Sequence, residues 1–169
     1  GGWTVRYQRT GGEESLARAL GVSPATARVL IGRGWDSAAS AKAFLEPSLN
    51  DLLPPAGLPN IQAAAERVNQ AIRSGETVLL FGDYDVDGTA GAVGLADVLE
   101  LLGAGVRVHM PDRGEGYGLS EAALRQGAAD GVGLVITIDN GIAAVSEAEV
   151  ARGLGLDLVV ADHHTMGDK

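Results

Sequence analysis

A doubly wound parallel α/β sheet, preceded by a small helical unit, is the architecture this sequence predicts, and three observations predict it. Short apolar runs of strand length recur from Thr77 onward, and each is separated from the next by a stretch with helical periodicity. Such alternation implies right-handed β-α-β crossovers and a parallel sheet covered on both faces. Ahead of it, helix start and stop signals dominate up to a proline-rich connector running from Pro47 to Pro59. The chain therefore divides into a helical unit with its connector, 1–59, and an α/β domain, 60–169.

Trp3 to Tyr7 reads as a short strand or an ordered arm. Glu13 to Leu20 reads as a helix ended by Gly21. Ser23 followed by Pro24 is a start signal, a serine cap with proline at the first helical position; that helix runs to Ile31 and stops at Gly32-Arg33-Gly34. A third runs from Ser37 to Leu45, with Pro47 just beyond. Short helices around a glycine turn also occur in DNA-reading helix-turn-helix units, but packing is their commoner use. From Asn60 to Ser74 the residues Ile61, Ala64, Ala65, Val68, Ala71 and Ile72 share one helical face, closed by Gly75. Strands are expected at Thr77–Phe81, Val106–Met110, Leu134–Ile138 and Leu156–Val160. The intervening helices are Gly88–Leu102, rich in small residues that permit close approach to the sheet, Ser120–Gln126 and Ile142–Arg152.

In an open parallel sheet, ligands bind at the carboxyl ends of the strands, and each predicted end is followed by polar residues. The first supplies Asp83, Asp85 and Asp87; the second Asp112, Arg113 and Tyr117; the third Asp139-Asn140-Gly141; the fourth Asp162-His163-His164. Three carboxylates within five positions repel one another unless a cation lies among them, although each alone equally suits a helix cap. Asp-Asn-Gly alone is an ordinary turn. The four sets together point to a metal centre that no single set establishes. Adjacent histidines at a strand end are expected to diverge, one towards the metal and the other towards substrate.

The chain has no cysteine, which excludes disulfides and thiolate zinc sites, so oxygen and imidazole are the available ligands. That donor set suits Mn²⁺, with Mg²⁺ as the alternative. Two such ions sharing a carboxylate clamp a phosphate and activate water for in-line attack. The net charge of −9 argues against a simple basic nucleic-acid patch. It is concentrated in 61–169, however, with seven basic and seventeen acidic side chains, where bound cations offset part of it. No apolar run approaches the roughly 20 residues that span a bilayer, and Gly1 to Val5 lacks a signal-peptide layout. A cytoplasmic location with no membrane contact is expected.

Gly82-Asp-Tyr-Asp-Val-Asp-Gly88, Ile138-Asp-Asn-Gly141 and Asp162-His-His164 together resemble the ordered motifs of the DHH phosphoesterase superfamily. Within it, Leu20-Gly-Val-Ser-Pro24, Leu30-Ile-Gly-Arg-Gly-Trp35, Ala43-Phe-Leu45 and Gly116-Tyr-Gly-Leu119 resemble the amino-terminal part of its bacterial exonucleases specific for single-stranded DNA. The resemblance covers nearly the whole chain. It implies metal-dependent 5′-to-3′ hydrolysis of single-stranded DNA in repair and recombination, with a single-strand-binding protein and a helicase as partners. Asp85 and Asp87 are implied to hold different metals, Asp139 to bridge them, His163 to ligate the second and Asp83 to assist. Asp162 then orients the histidines and His164 faces the scissile phosphate or its water. Arg113 is a candidate phosphate contact, with a surface salt bridge as its plainer role, and Tyr117 either stacks on a base or braces its loop. Superfamily members carry a further ligand aspartate and a closing domain downstream, so this stretch by itself is expected to be inactive or weak. The rival readings are a sister hydrolase of short oligonucleotides, cyclic dinucleotides or pyrophosphate, and a replication-fork scaffold that keeps the fold without catalysis.

Overall fold

The structure, a computed structural model, describes residues 11–112, 114, 116 and 118–166. The predicted segment Trp3 to Tyr7 lies outside them. The chain forms two compact units, Gly1–Gly57 and Leu58–Lys169.

The first unit contains α1 (Glu13–Leu20), α2 (Pro24–Gly32) and α3 (Ala38–Leu45). Serine caps begin the last two: Ser23 accepts from the Thr26 N–H and Ser37 from the Ser40 N–H, both at 3.1 Å. Gly21 closes α1 at φ 68°, a left-handed conformation that costs glycine little. Leu16, Ala17, Ala27, Leu30 and Ala41 form a small core with Trp35 packed against it. The connector holds two single 3₁₀ turns, Leu49–Asp51 and Pro55–Gly57.

The second unit runs α4 (Ile61–Ser74), β1 (Thr77–Phe81), α5 (Val86–Leu101), β2 (Gly105–His109), α6 (Glu121–Ala129), β3 (Val132–Ile138), α7 (Val145–Gly153) and β4 (Asp157–Ala161). Its four strands are all parallel in the order β2-β1-β3-β4. Alternate strand residues feed opposite faces. Val78, Leu80, Leu134, Ile136 and Ile138 pack with Ala71 of α4 and Ala92, Ala96 and Leu99 of α5. Leu79, Phe81, Val132 and Val135 pack with Leu124 of α6 and Ala151 of α7. Both faces are covered, as the doubly wound reading requires. Val132 and Val135 share a face three residues apart because the β1–β3 register shifts between them. The chain reverses direction across the sheet between β1 and β3, so the switch point, where ligands bind in such folds, lies between their carboxyl ends.

Three helix boundaries differ from the sequence expectation by two residues or more. Helix α5 begins at Val86, two residues before Gly88, because Asp85 caps it. Helix α6 continues past Gln126 through Gly127, where a Cβ would stand 3.3 Å from the Leu79 side chain; the glycine lets the helix lie close on β1. Helix α7 starts at Val145, not Ile142, and the Ile142 N–H is donated to Asp162 at 2.9 Å. On α4, Ala65 is exposed and Ala71 is the fully buried residue. At the opposite end of the sheet from the switch point, Arg67 pairs with Glu76 and Asp157, tying α4 to the entry of β1 and β4.

Candidate metal centre

Strand β1 ends in Phe81-Gly82, and Asp83 follows, 4% exposed, with one carboxylate oxygen accepting the Tyr84 N–H at 2.7 Å. A Cβ on Gly88 would meet the Asp83 backbone nitrogen at 2.4 Å, and one on Gly91 would meet Ile138 at 2.7 Å. These glycines seat the amino end of α5 directly on the strand ends. Asp85 is the helix cap: its Oδ1 accepts from the N–H groups of Asp87 at 3.0 Å and Gly88 at 3.1 Å. Capping and ligation are compatible, since both bonds fall on one carboxylate oxygen.

Strand β3 delivers Asp139, 7% exposed, in a left-handed conformation at φ 64° that aspartate tolerates better than most residues. Its N–H donates to the Ala161 carbonyl at 2.8 Å, which ties it to the end of β4. Just beyond that end, His163 Nε2 lies 2.9 Å from Asp139 Oδ1. Asp162, its side chain 2% exposed, accepts from the His164 N–H at 3.0 Å and pairs with His164 Nδ1 at 2.7 Å. The two imidazoles stack at 4.6 Å rather than diverging as expected. Both rings therefore face the same carboxylate.

The ligand-type atoms fall into two groups, each lying mutually within 4.8 Å: Asp83, Asp85 and Asp139, and Asp139, His163 and His164. Asp139 belongs to both. Asp87 stands in the first turn of α5, outside either group, although its charge reaches Asp139. Asp112 is exposed; Arg113 and Tyr117 lie outside the described residues. Sequence reasoning passed over Asn140 as part of a turn. It is fully buried and donates from Nδ2 to the carbonyls of Phe81 and Ile138 at 3.2 and 3.0 Å.

Burial, followed by the charge of Asp85, raises the pKa of Asp139 above the ordinary carboxylate value, against the opposing pull of the histidines. Asp85 is held below it, first by the Gly88 N–H, against its own desolvation. Two adjacent carboxylates pushed apart in this way resist joint ionisation unless positive charge lies between them. With only oxygen and imidazole donors and one shared carboxylate, the residues fit a pair of hard divalent cations.

Asp162 is lowered: burial works against it, but the backbone N–H groups of His164 and Ile142 and the His164 ring outweigh that cost. His164 is raised, chiefly by its bond to Asp162. A lowered carboxylate contributes stability that is lost as pH falls through its folded pKa; a raised histidine contributes stability that is lost as pH rises through its own. In metal-free protein this pair is therefore expected to stabilise most between about pH 4 and 6.5, the ordinary values of the two groups. Asp162→Asn should flatten that part of a Tm-against-pH curve, and an unchanged curve would remove the pair from the account.

A parallel doubly wound sheet with aspartates and an Asp-His-His segment gathered at its switch point defines the class. The chain belongs to the DHH family: residues 77–169, more than half of it, match the DHH family, N-terminal domain. Within that family it is similar to RecJ. It is 40% identical over 166 residues to the single-stranded-DNA-specific exonuclease RecJ of Bacillus subtilis (strain 168), a match that covers 98% of this chain and 21% of that protein. The crystal structure of RecJ in complex with Mn²⁺ from Thermus thermophilus superposes with a TM-score of 0.65 at 28% identity, covering 98% of this chain and 23% of that one. A crystal structure of exonuclease RecJ bound to manganese gives 0.64 at 33% identity, covering 70% and 31%. The chain thus spans between a fifth and a third of the relatives it matches, corresponding to their amino-terminal part.

Proposed function

We propose that this chain supplies most of the metal ligands of a 5′-to-3′ exonuclease for single-stranded DNA. The observation that carries the reading is that Asp139 is shared between two ligand groups, the arrangement that two-ion phosphodiester hydrolysis requires. Its relatives are named for single-stranded DNA, and two related structures hold manganese. Mn²⁺ is the preferred ion, with Mg²⁺ as the alternative. Residues 1–59 are the helical accessory unit and residues 60–169 the DHH domain of the same reading.

Asp83 and Asp85 would hold one ion, His163 the other and Asp139 both; Asp87 would add negative charge near Asp139. Bound, the two ions supply Lewis-acid charge to the phosphate and make water acidic enough to serve as nucleophile. Asp162 holds His164 through Nδ1, and His164 Nε2 would donate to a phosphate oxygen or to the water. In the metal-free protein the bond to Asp162 raises the pKa of His164. Arg113 is the proposed phosphate contact, since a guanidinium can bind phosphate bidentately, and Tyr117 the proposed base-stacking residue. Among the described residues no helix is long and apolar enough to cross a membrane. A cytoplasmic role in repair and recombination, beside a single-strand-binding protein and a helicase, completes the proposal.

The test is a substrate panel with the intact protein that carries this chain, loaded with Mn²⁺. Long single strands labelled at either end, dinucleotides, cyclic dinucleotides and pyrophosphate are compared by kcat/KM. The expected result is stepwise release of nucleotides from the 5′ end of long single strands. Preference for pyrophosphate or dinucleotides would overturn the substrate assignment. Absence of Mn²⁺ binding by calorimetry would favour a scaffold.

A further inference from the structure

We infer that Asn140 is a positioning residue of the metal centre, a buried amide clamp that sets Asp139 between the two ligand groups; the inference rests on the metal-centre reading above. The β1–β3 ladder reaches its last pair at Phe81 and Thr137. Beyond it the Gly82 N–H turns away to the His109 carbonyl of β2 at 3.1 Å, and the Asp139 N–H turns to the Ala161 carbonyl of β4 at 2.8 Å. The switch point therefore opens where the ligands must converge, and backbone pairing no longer holds β1 to β3.

Asn140 closes that gap with a side chain. Its single Nδ2 spends both hydrogens on main-chain acceptors, the carbonyls of Phe81 at 3.2 Å and Ile138 at 3.0 Å, the last residues of the two strands. With the side chain fully buried, no water competes for these carbonyls. Asp139 is thus pinned from two sides, to β4 through its own N–H and to β1 through its neighbour's amide. That double attachment holds it at φ 64° and keeps its carboxylate beside Asp83 and Asp85 on one side and His163 on the other. A serine at this position offers one donor, and an aspartate of the same shape none, facing two carbonyl oxygens instead.

The experiment uses the intact protein with Mn²⁺ alone as probe, in wild type and in the variants Asn140→Ala, Asn140→Asp and Asn140→Ser. Leu124→Ala, a truncation of a fully buried leucine in α6, serves as a destabilised control. Calorimetry reads affinity and stoichiometry, electron paramagnetic resonance reads the exchange-coupled signal of two neighbouring Mn²⁺ ions, and thermal melting reads stability. Loss of a supporting partner of this kind weakens metal binding about 10- to 100-fold. The expected result is that loss in Asn140→Ala and Asn140→Asp with the coupled signal gone, an intermediate value in Asn140→Ser, and wild-type affinity in Leu124→Ala despite its lowered Tm. Wild-type affinity and coupling in every Asn140 variant that folds would overturn the inference, as would an equal loss in Leu124→Ala. A wild-type protein that binds no Mn²⁺ would overturn the metal-centre reading and this inference with it; unchanged Asn140 variants overturn this inference alone.

Discussion

Replacing Asp139 by asparagine should remove hydrolysis from the intact protein while raising the stability of its metal-free form. Asp139 is the carboxylate common to both ligand groups, so its loss weakens the hold on both ions. Two-ion stabilisation of a phosphoryl transition state is worth several kcal/mol, and its loss corresponds to a fall in rate of roughly a thousandfold or more. Asparagine suits the backbone, because it tolerates the left-handed conformation found at φ 64°. The stability effect has the opposite sign. Burial and the charge of Asp85 raise the pKa of Asp139, so at neutral pH the folded state holds an ionised group that it disfavours relative to the unfolded chain. An uncharged side chain removes that cost. The metal-free Tm should rise, whereas the Mn²⁺-induced increase, about 2.7 kcal/mol at an ion concentration 100 times Kd, should disappear. Melting scans with and without Mn²⁺ check both halves, and unchanged turnover in Asp139→Asn would sink the shared-ligand assignment.

Gly88→Ala should be strongly destabilising, although alanine inside a helix is ordinarily better than glycine by about 1 kcal/mol. A Cβ there would stand 2.4 Å from the Asp83 nitrogen, 2.5 Å from its carbonyl oxygen and 2.7 Å from its Cα. These are backbone atoms, so no rotamer change relieves the clash; either α5 lifts from β1 or Asp83 moves. Overpacking of this kind costs about 1–3 kcal/mol, at times more. Gly94 supplies the comparison within the same helix: it is exposed, nothing lies within 4 Å of its Cβ position, and Gly94→Ala should stabilise by about 0.5–1 kcal/mol. Urea unfolding of the pair therefore gives opposite signs, and Mn²⁺ affinity should fall in Gly88→Ala only. Equal stabilities would show that the approach of α5 to Asp83 is not under constraint.

Much of this was legible because the local signals agree with the tertiary outcome. Thr77–Phe81 is apolar without interruption because both of its faces are covered, and it was found at its observed bounds. Ser23 and Ser37 announced helices through a bond each makes within its own first turn. What escaped was set by partners distant in sequence. The Ile142 N–H, at the expected start of a helix, is instead taken by Asp162, twenty residues on. Helix α6 continues through Gly127, where it packs close to the Leu79 side chain of β1. Asn140 looked like a turn residue, since an asparagine between aspartate and glycine is one in most settings.

The sequence by itself determined the doubly wound class, the four strand ends and the aspartates and histidines that follow them. Alternation of strand and helix fixes parallel connections, and parallel connections bring all those ends to one edge. Only the tertiary structure decided which of the residues meet. It made Asp139 common to two groups, placed Asp87 outside both, stacked His163 on His164 and recruited Asn140 as the tie between β1 and β3. Those choices depend on where the strand ladders run out and on how closely α5 sits on Asp83. Such contacts join residues far apart in the chain as readily as neighbours, and spacing along the chain carries no record of them.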